Sequence, residues 1–376
     1  YANTLISRVP KSNIDNEDDK NQLLAEGYFH RAYWYYLLVN QWGDVPLLLE
    51  EVTGPKLDFY STSRMKILQQ MKTDMEFAVK WLPKNVQPGC VSRAAGEHLL
   101  AKIYLCTGDF QFAVDATTRC INDYGLHLMK ERFGVNASDA SLDVFNDLFQ
   151  EDNISASENK EAIFVVQERY GIEGNVAPKG SARMRNFVPY WCNGAAVKTP
   201  DGKQGTTYDA GPYEGYEWVE KLGRGIAKIR PSNYSQYAIW GKCGNDIRHN
   251  DNNWFNISRL TYNRPASKGG SEEYFGKPIE RAFVSDTMRC YFSFPTVKTL
   301  IYKDDINVGK TPTGGFTDTY VFRLAETYLM RAEAYYWLGN LPLAKEDVNE
   351  IRRRAKAPEL PSVTLDDILD ERAREL

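Results

Sequence analysis

No stretch of this sequence is long and apolar enough to cross a bilayer. The most apolar run, Tyr33 to Val39, covers seven residues, far short of the roughly 20 that a spanning helix requires. A basic excess is missing as well: 46 lysines and arginines stand against 50 aspartates and glutamates, a net charge of −4, and the cations are scattered. That leaves no electrostatic footprint for a nucleic acid. Histidine is scarce. The four, His30, His98, His127 and His249, fall in no H-E-x-x-H arrangement, and neither a G-x-S-x-G elbow nor a phosphate-cradling glycine loop occurs. The common hydrolase and nucleotide chemistries lose their signatures. The six cysteines, Cys90, Cys106, Cys120, Cys192, Cys243 and Cys290, lie far apart, with no C-x-x-C pair and no zinc-like spacing to histidine. Cys106 and Cys120 fall on apolar helical faces, where a thiol behaves as a small hydrophobe. Asp15 to Asp19 and Asp304 to Asn307 offer oxygen ligands but lack the sixth-position glycine of a calcium loop, and both read as solvated acidic surface. No cofactor is expected; calcium stays as an unsupported alternative.

What is present is a chain able to bury a core. With 376 residues, 43% of them hydrophobic, it suits one large domain or two intimately joined ones. Leu23, Leu24, Tyr28, Ala32, Tyr35 and Tyr36 recur at helical spacing and predict a helix over 18–39, ended by Gly43 and Pro46. Met65, Leu68, Met71, Met75, Ala78 and Val79 predict a second over 62–81, stopped by Pro83. A tighter pair follows, 92–107 and 110–122, joined at Gly108-Asp109. A similar pair, 322–338 and 342–356, surrounds Gly339-Asn340. With the glycines matched, Ala101 falls on Ala332, Tyr104 on Tyr335 and Ala113 on Ala344, an internal repeat with the logic of TPR hairpins. One such unit cannot bury its apolar face alone, so the two must stack across whatever separates them.

Between them the periodicity collapses while Gly, Pro, Asn and Ser rise together with Tyr and Trp. Ala162 to Gln167 and Ile226 to Ile229 are candidate strands. The expected fold is mainly α: TPR-like helical-hairpin repeats in an α/α superhelix, with a large loop-rich insertion containing minor β structure. Its parts are a helical region over 1–124, a loop-rich aromatic insertion over 125–318 that binds ligand, and helices over 319–376 that pack back on the first region.

The stretch FHRAYWYYLLVNQWGDVPLL (29–48) runs an Arg-Ala-aromatic helix into a Gly-Asp-x-Pro-Leu turn. Further phrases follow: SRAAGEHLLAKIYLCTGDFQFA (92–113), NKEAIFVV (159–166), NDIR (245–248), FRLAETYLMRAEAYYWLGNLPLAKEDVNEIRRRA (322–355) and ERAREL (371–376). In this order they resemble the SusD/RagB family across nearly the whole chain. The resemblance implies a non-catalytic, surface-exposed lipoprotein of the cell outer membrane in Bacteroidota. Such a protein binds oligosaccharide or polysaccharide, or peptide in some members, and hands it to a SusC-like TonB-dependent transporter. Two departures stand out. The chain lacks the family's upstream segment with its anchoring Cys, and the Arg-Trp-Phe-Asp-Leu phrase that follows the closing helix. Tyr1 and Leu376 both sit inside helix-like phrases, so the two ends read as cuts through a longer chain.

Sugars present apolar C–H faces rimmed by hydroxyls, so a site for them needs flat aromatic platforms beside amide, carboxylate or guanidinium groups. The stretch 187–254 supplies both. The expected ligand-binding residues are Arg185, Tyr190, Trp191, Asn193, Tyr208, Asp209, Tyr213, Trp218 and Trp254. Trp191 and Tyr213 serve as stacking platforms, with Arg185, Asn193 and Asp209 as hydrogen-bond partners. The helix aromatics Trp34, Tyr35, Tyr36, Tyr104, Tyr335 and Trp337 sit at repeat spacing and read as packing residues; Asp246 and Arg248 read as a structural ion pair. Three alternatives remain: a peptide-binding member of the same family, a glycoside hydrolase using two of the fifty acids, and an intracellular TPR adaptor. Adaptors carry contiguous repeats, which this chain does not.

Overall fold

The computed structural model describes residues 1–173, 180–209, 215, 217–301 and 314–376. Among these, the helices of seven residues or more are α1 (Ala2–Arg8), α2 (Glu17–Trp42), α3 (Arg64–Trp81), α4 (Arg93–Thr107), α5 (Phe110–Asn122), α6 (Leu324–Trp337), α7 (Leu341–Arg354) and α8 (Leu365–Glu375). The fold is mainly α, with TPR-like pairs, a long loop-rich insertion and little strand, as the periodicity predicts.

Local chemistry explains the start of α2. Asn16 accepts the Asp18 N–H at 2.9 Å, and Glu17, Asp18 and Asp19 occupy the first turn, where carboxylates oppose the positive end of the helix. Much of the Asp15 to Asp19 cluster is therefore a helix start; Asp304 to Asn307 lies outside the described residues. Ala32 is fully buried, so α3 can approach closely, and Arg31 spans the gap. Its Nε and Nη2 each lie 2.8 Å from Asp74, and its Nη1 donates to the Leu49 carbonyl at 2.8 Å. Asp44 then accepts the Arg64 N–H at 2.8 Å and caps α3, while β1 (Val45–Pro46) pairs antiparallel with β2 (Ser61–Thr62). Each later pair carries an equivalent clamp. Arg119 forks onto Glu97 with both bonds at 2.9 Å to join α5 to α4, and Arg331 forks onto Asp347 at 2.8 and 2.7 Å to join α6 to α7.

The internal repeat is visible in the backbone. Gly108 and Gly339 adopt φ of 79° and 76°, and the residue after each donates five positions back: Asp109 to the Tyr104 carbonyl at 2.9 Å, Asn340 to that of Tyr335 at 2.8 Å. This is one left-handed helix stop used twice. Helix α6 packs on α5, so the chain leaves after α5, builds the insertion and returns to continue the helical stack. Helices α2 to α8 contribute to one apolar core, which includes Phe29, Leu68, Leu99, Cys120, Leu329 and Ile368. A second core, within 184–301, is centred on Trp191, Tyr262, Phe292 and Phe294.

Three expectations are corrected. The helix expected from Phe322 begins at Leu324, because Thr319–Arg323 forms a strand, β4, antiparallel to β3 (Ala162–Val166) with Val165 opposite Tyr320. Ile226 to Ile229 is not a strand. Ala227 takes a φ of 50°, and the N–H groups of Ile226 and Ala227 donate instead to the carbonyls of Arg185 (2.8 Å) and Val188 (3.2 Å). Trp34 is not a packing residue: it is 60% exposed, and with Leu37, Leu38 and Trp42 it forms an outward apolar face of α2. Trp337 is also substantially exposed, with its ring stacked on Phe110 at 5.8 Å. Tyr35, Tyr36, Tyr104 and Tyr335 do pack on the helical core.

A buried ionic cluster joins the insertion to the helices. Arg248 is bound by Asp246 at 2.6 Å, Glu371 at 2.7 Å and Glu375 at 3.0 Å. Glu375 also takes Arg354 and, at 2.5 Å, Arg323, and both of those arginines reach Glu161 beside β3. Arg352 and Arg374 each lie 2.9 Å from Glu371. The Asp246–Arg248 pair is thus the near end of a network tying the NDIR turn to α8. Lys298 lies beside it; burial pushes its ammonium down to about 7 against the pull of Glu375.

Candidate functional site

The second core takes up most of the aromatics singled out from the sequence. Trp191 is fully buried, and its indole N–H donates to the Gly223 carbonyl at 3.0 Å. A ring with no exposed face cannot stack on a sugar, so Trp191 is corrected from a platform to the centre of a core. Trp254 is 9% exposed and packs with Trp240 (5.7 Å) and His249 (5.0 Å) in a separate small cluster. It too is a packing residue. Tyr213, the other expected platform, lies outside the described residues.

Tyr190, Tyr208 and Trp218 remain, all half-buried and packed on the rim of the second core. Each ring carries a cation. The Arg289 guanidinium lies 5.3 Å from the Tyr190 ring, the Arg224 guanidinium 3.9 Å from that of Tyr208, and the Lys221 ammonium 5.4 Å from that of Trp218. Trp218 is further fixed by donating its indole N–H to Thr261 Oγ1 at 2.7 Å and by meeting Phe255 edge-on at 5.6 Å. Arg289 is fixed by donating to the Ile226 carbonyl at 3.0 and 3.3 Å, and the Tyr190 N–H donates to the Arg289 carbonyl at 2.8 Å. The rim therefore holds aromatic surface and cationic donors in set positions.

The expected polar partners divide. Asp209 is exposed, 3.9 Å from the Lys268 ammonium, and next to Tyr208 in the chain. Arg185 is exposed, in a short helix over Arg183–Phe187. Asn193 is half-buried and uses its side-chain oxygen to accept the Ala195 N–H at 3.2 Å, so it organises a turn. Two tyrosines given no particular role are more accessible than any chosen aromatic among the described residues. Tyr234 donates its hydroxyl to Asp370 at 2.6 Å, and Tyr237 lies 3.5 Å from Ser293 Oγ. Two of the three cations are not announced locally, since Arg289 is 99 positions from Tyr190 and Arg224 is 16 from Tyr208, whereas Lys221 follows Trp218 by three residues on one short helix, a spacing the sequence does show.

Burial pushes the thiols of Cys192 and Cys290 up to about 12, which leaves them protonated and unreactive at neutral pH. Among the described residues no three His, Cys, Asp or Glu side chains converge as a metal site would need. What the rim can do is offer stacking surface, cationic hydrogen-bond donors and exposed carboxylates such as Asp209.

Comparison with known proteins agrees with this architecture. Residues 230–376 match the model of the SusD family, and residues 1–105 match a SusD-like model described as starch-binding and associating with the outer membrane. A SusD-like protein of Bacteroides ovatus is 24% identical over 99% of this chain and 60% of its own length. The SusD-like protein P2 of Formosa agariphila is 34% identical over 32% of this chain and 25% of its own length. At most, then, the chain spans about 60% of these curated relatives. Among solved structures, a laminarin-binding SusD-like protein superposes with a TM-score of 0.66 at 21% identity, covering 100% of this chain and 72% of that one. With both ends of the chain matched by SusD-type models and the whole of it superposing on a SusD-like fold, the chain belongs to the SusD/RagB family.

Proposed function

We propose that this chain is a non-catalytic carbohydrate-capture protein whose site lies on the aromatic rim of the insertion, over 125–318. The observation that carries this reading is the trio Tyr190, Tyr208 and Trp218, each half-buried with a cation beside its ring. Half-burial holds a platform rigid while leaving an edge or face for a sugar, and the guanidinium groups and Asp209 supply hydrogen bonds to hydroxyls. The laminarin-binding neighbour and the starch-binding description of the matched model support a glucan as the first ligand to try. Stacking plus a few exposed hydrogen bonds gives weak binding, with Kd between micromolar and millimolar, or roughly −8 to −4 kcal/mol. That suits a protein that must release its cargo.

In the same reading the protein is held at the outer-membrane surface by a lipid anchor and delivers its ligand to a SusC-like TonB-dependent transporter. The outward face of α2, with Trp34, Leu38 and Trp42, is apolar surface of the kind that protein partners cover.

The test is calorimetry of the purified chain against laminarin oligosaccharides, malto-oligosaccharides and a set of short peptides, with chromatography of the sugars afterwards. The expected result is binding of a glucan that stays uncleaved, weakened about tenfold in both Tyr208→Ala and Trp218→Ala, the loss of one stacking contact. Shortened products would establish a glycoside hydrolase instead, and binding of peptides alone would change the cargo class. Glucan binding that neither substitution weakens would move the site off the rim.

A further inference from the structure

One groove on the helical side of the molecule lies away from the aromatic rim, along the edge of the β3–β4 ribbon. It has a volume of about 520 Å³. One wall is the loop between α3 and α4, including Lys84 and Cys90; the other includes Tyr124 and Lys160. Its floor is β3 itself, from Ala162 to Val165.

Ile163, Phe164 and Val165 are each no more than 9% exposed, and Ile163 and Phe164 belong to the helical core. A strand that lines an open groove while hiding its side chains presents its main chain. β3 pairs with β4 alone, and among the described residues no N–H or C=O of Ala162 to Val166 bonds to anything outside that pair. The edge facing the groove therefore carries unused donors and acceptors, which a further strand would satisfy. Five residues of strand span about 17 Å, the length of a short extended peptide.

The charge of the lining selects among peptides. Lys84 and Lys160 are both exposed, and neither forms an ion pair among the described residues. Among the described residues no aspartate or glutamate lines the groove. Carbohydrate fits it poorly: among the described residues the aromatics lining it are the buried Phe164 and the half-buried Tyr124. We propose that this groove binds an extended, carboxylate-bearing peptide segment, which adds to β3 as a third strand with its acidic side chains between Lys84 and Lys160. The inference does not depend on the glycan site and stands or falls separately from it.

The experiment is fluorescence anisotropy of the full chain with three end-blocked octapeptides: alternating Val-Glu, alternating Val-Lys, and Val-Glu with every amide N-methylated. The Val-Glu peptide should bind at least tenfold tighter than Val-Lys, and N-methylation should abolish binding by removing the strand hydrogen bonds. The Lys84→Glu/Lys160→Glu variant should reverse the preference towards Val-Lys, so that binding of either peptide reports a folded groove. A bulky maleimide on Cys90, the one exposed cysteine of the six, should block both. Failure of Val-Glu to bind at millimolar concentration would overturn the proposal and leave the two lysines as guards against edge-to-edge association. Equal binding of the N-methylated peptide, an unchanged preference in the variant, or displacement of the peptide by an oligosaccharide would overturn it as well.

Discussion

Replacing Arg248 by methionine tests whether the ionic cluster at α8 is structural, and the contacts fix the size of the effect. Arg248 touches three carboxylates, but they do not lose equally. Glu371 keeps Arg352 and Arg374, and Glu375 keeps Arg323 and Arg354. Asp246, itself buried, keeps only the Arg248 backbone N–H at 3.0 Å among the bonds of the described residues. The cost is therefore that of stranding one buried carboxylate, about 3–5 kcal/mol, and not three times that. Urea unfolding followed by tryptophan fluorescence should show the midpoint falling with little change in slope. The double variant Arg248→Met/Asp246→Asn should recover about 1–2 kcal/mol, since an amide costs less to bury unpaired than a carboxylate. A loss below about 1 kcal/mol in Arg248→Met, or a double variant no more stable than the single, would refute the reasoning.

Two further outcomes are expected. Burial holds His98 down to about 4, although Glu326 pulls the other way; the neutral ring donates to Glu326 at 3.0 Å and accepts from Thr327 at 2.9 Å. An unfolded histidine titrates near 6.5, so the unfolded chain binds a proton that the folded chain refuses, and stability, full above that pH, falls by up to about 3 kcal/mol as pH drops towards 4. A His98→Gln variant should flatten that limb of the stability–pH curve, and an unchanged limb would assign it to other groups. At the two left-handed helix stops, Gly108 and Gly339, an added Cβ meets nothing within 4 Å, so alanine there costs only backbone strain, about 1–2 kcal/mol at each site and additive in the pair. Thermal unfolding checks it, and a neutral result would mean that the helix ends relax without them.

Most of the scaffold was legible in the sequence because its information is local. Apolar spacing placed α2 to α5 within a few residues, and Gly-Asp and Gly-Asn marked the two turns whose backbones prove equivalent. The start of α6 was misplaced for an equally physical reason. Phe322 continues the helical apolar pattern, but it also lies opposite Phe164, and the cross-strand partner, 158 positions away, decides. The forked arginine clamps between helices could not be read in advance either. An Arg and its carboxylate 43 or 22 positions apart look like ordinary surface charge until the helices are placed side by side.

The site was legible only as a region, and Trp34 and Trp191 show why. Trp34 sits in a periodic helix, which points to the interior, yet α2 is 26 residues long and aromatic on more than one face, so period alone does not choose the buried side. Trp191 sits in an aperiodic segment rich in Gly and Asn, where tryptophan suggests a platform on the surface. The aperiodic segment nonetheless builds a core of its own, and the largest flat side chain is also the one with most to gain from burial there. Aromatic enrichment in a long insertion therefore locates two things at once, a second core and the rim around it. Separating them takes the neighbours: a tryptophan whose N–H finds a backbone carbonyl inside, as Trp191 does at Gly223, belongs to the core, while a ring held at the edge with a guanidinium beside it, as Tyr208 is by Arg224, is the one to substitute first.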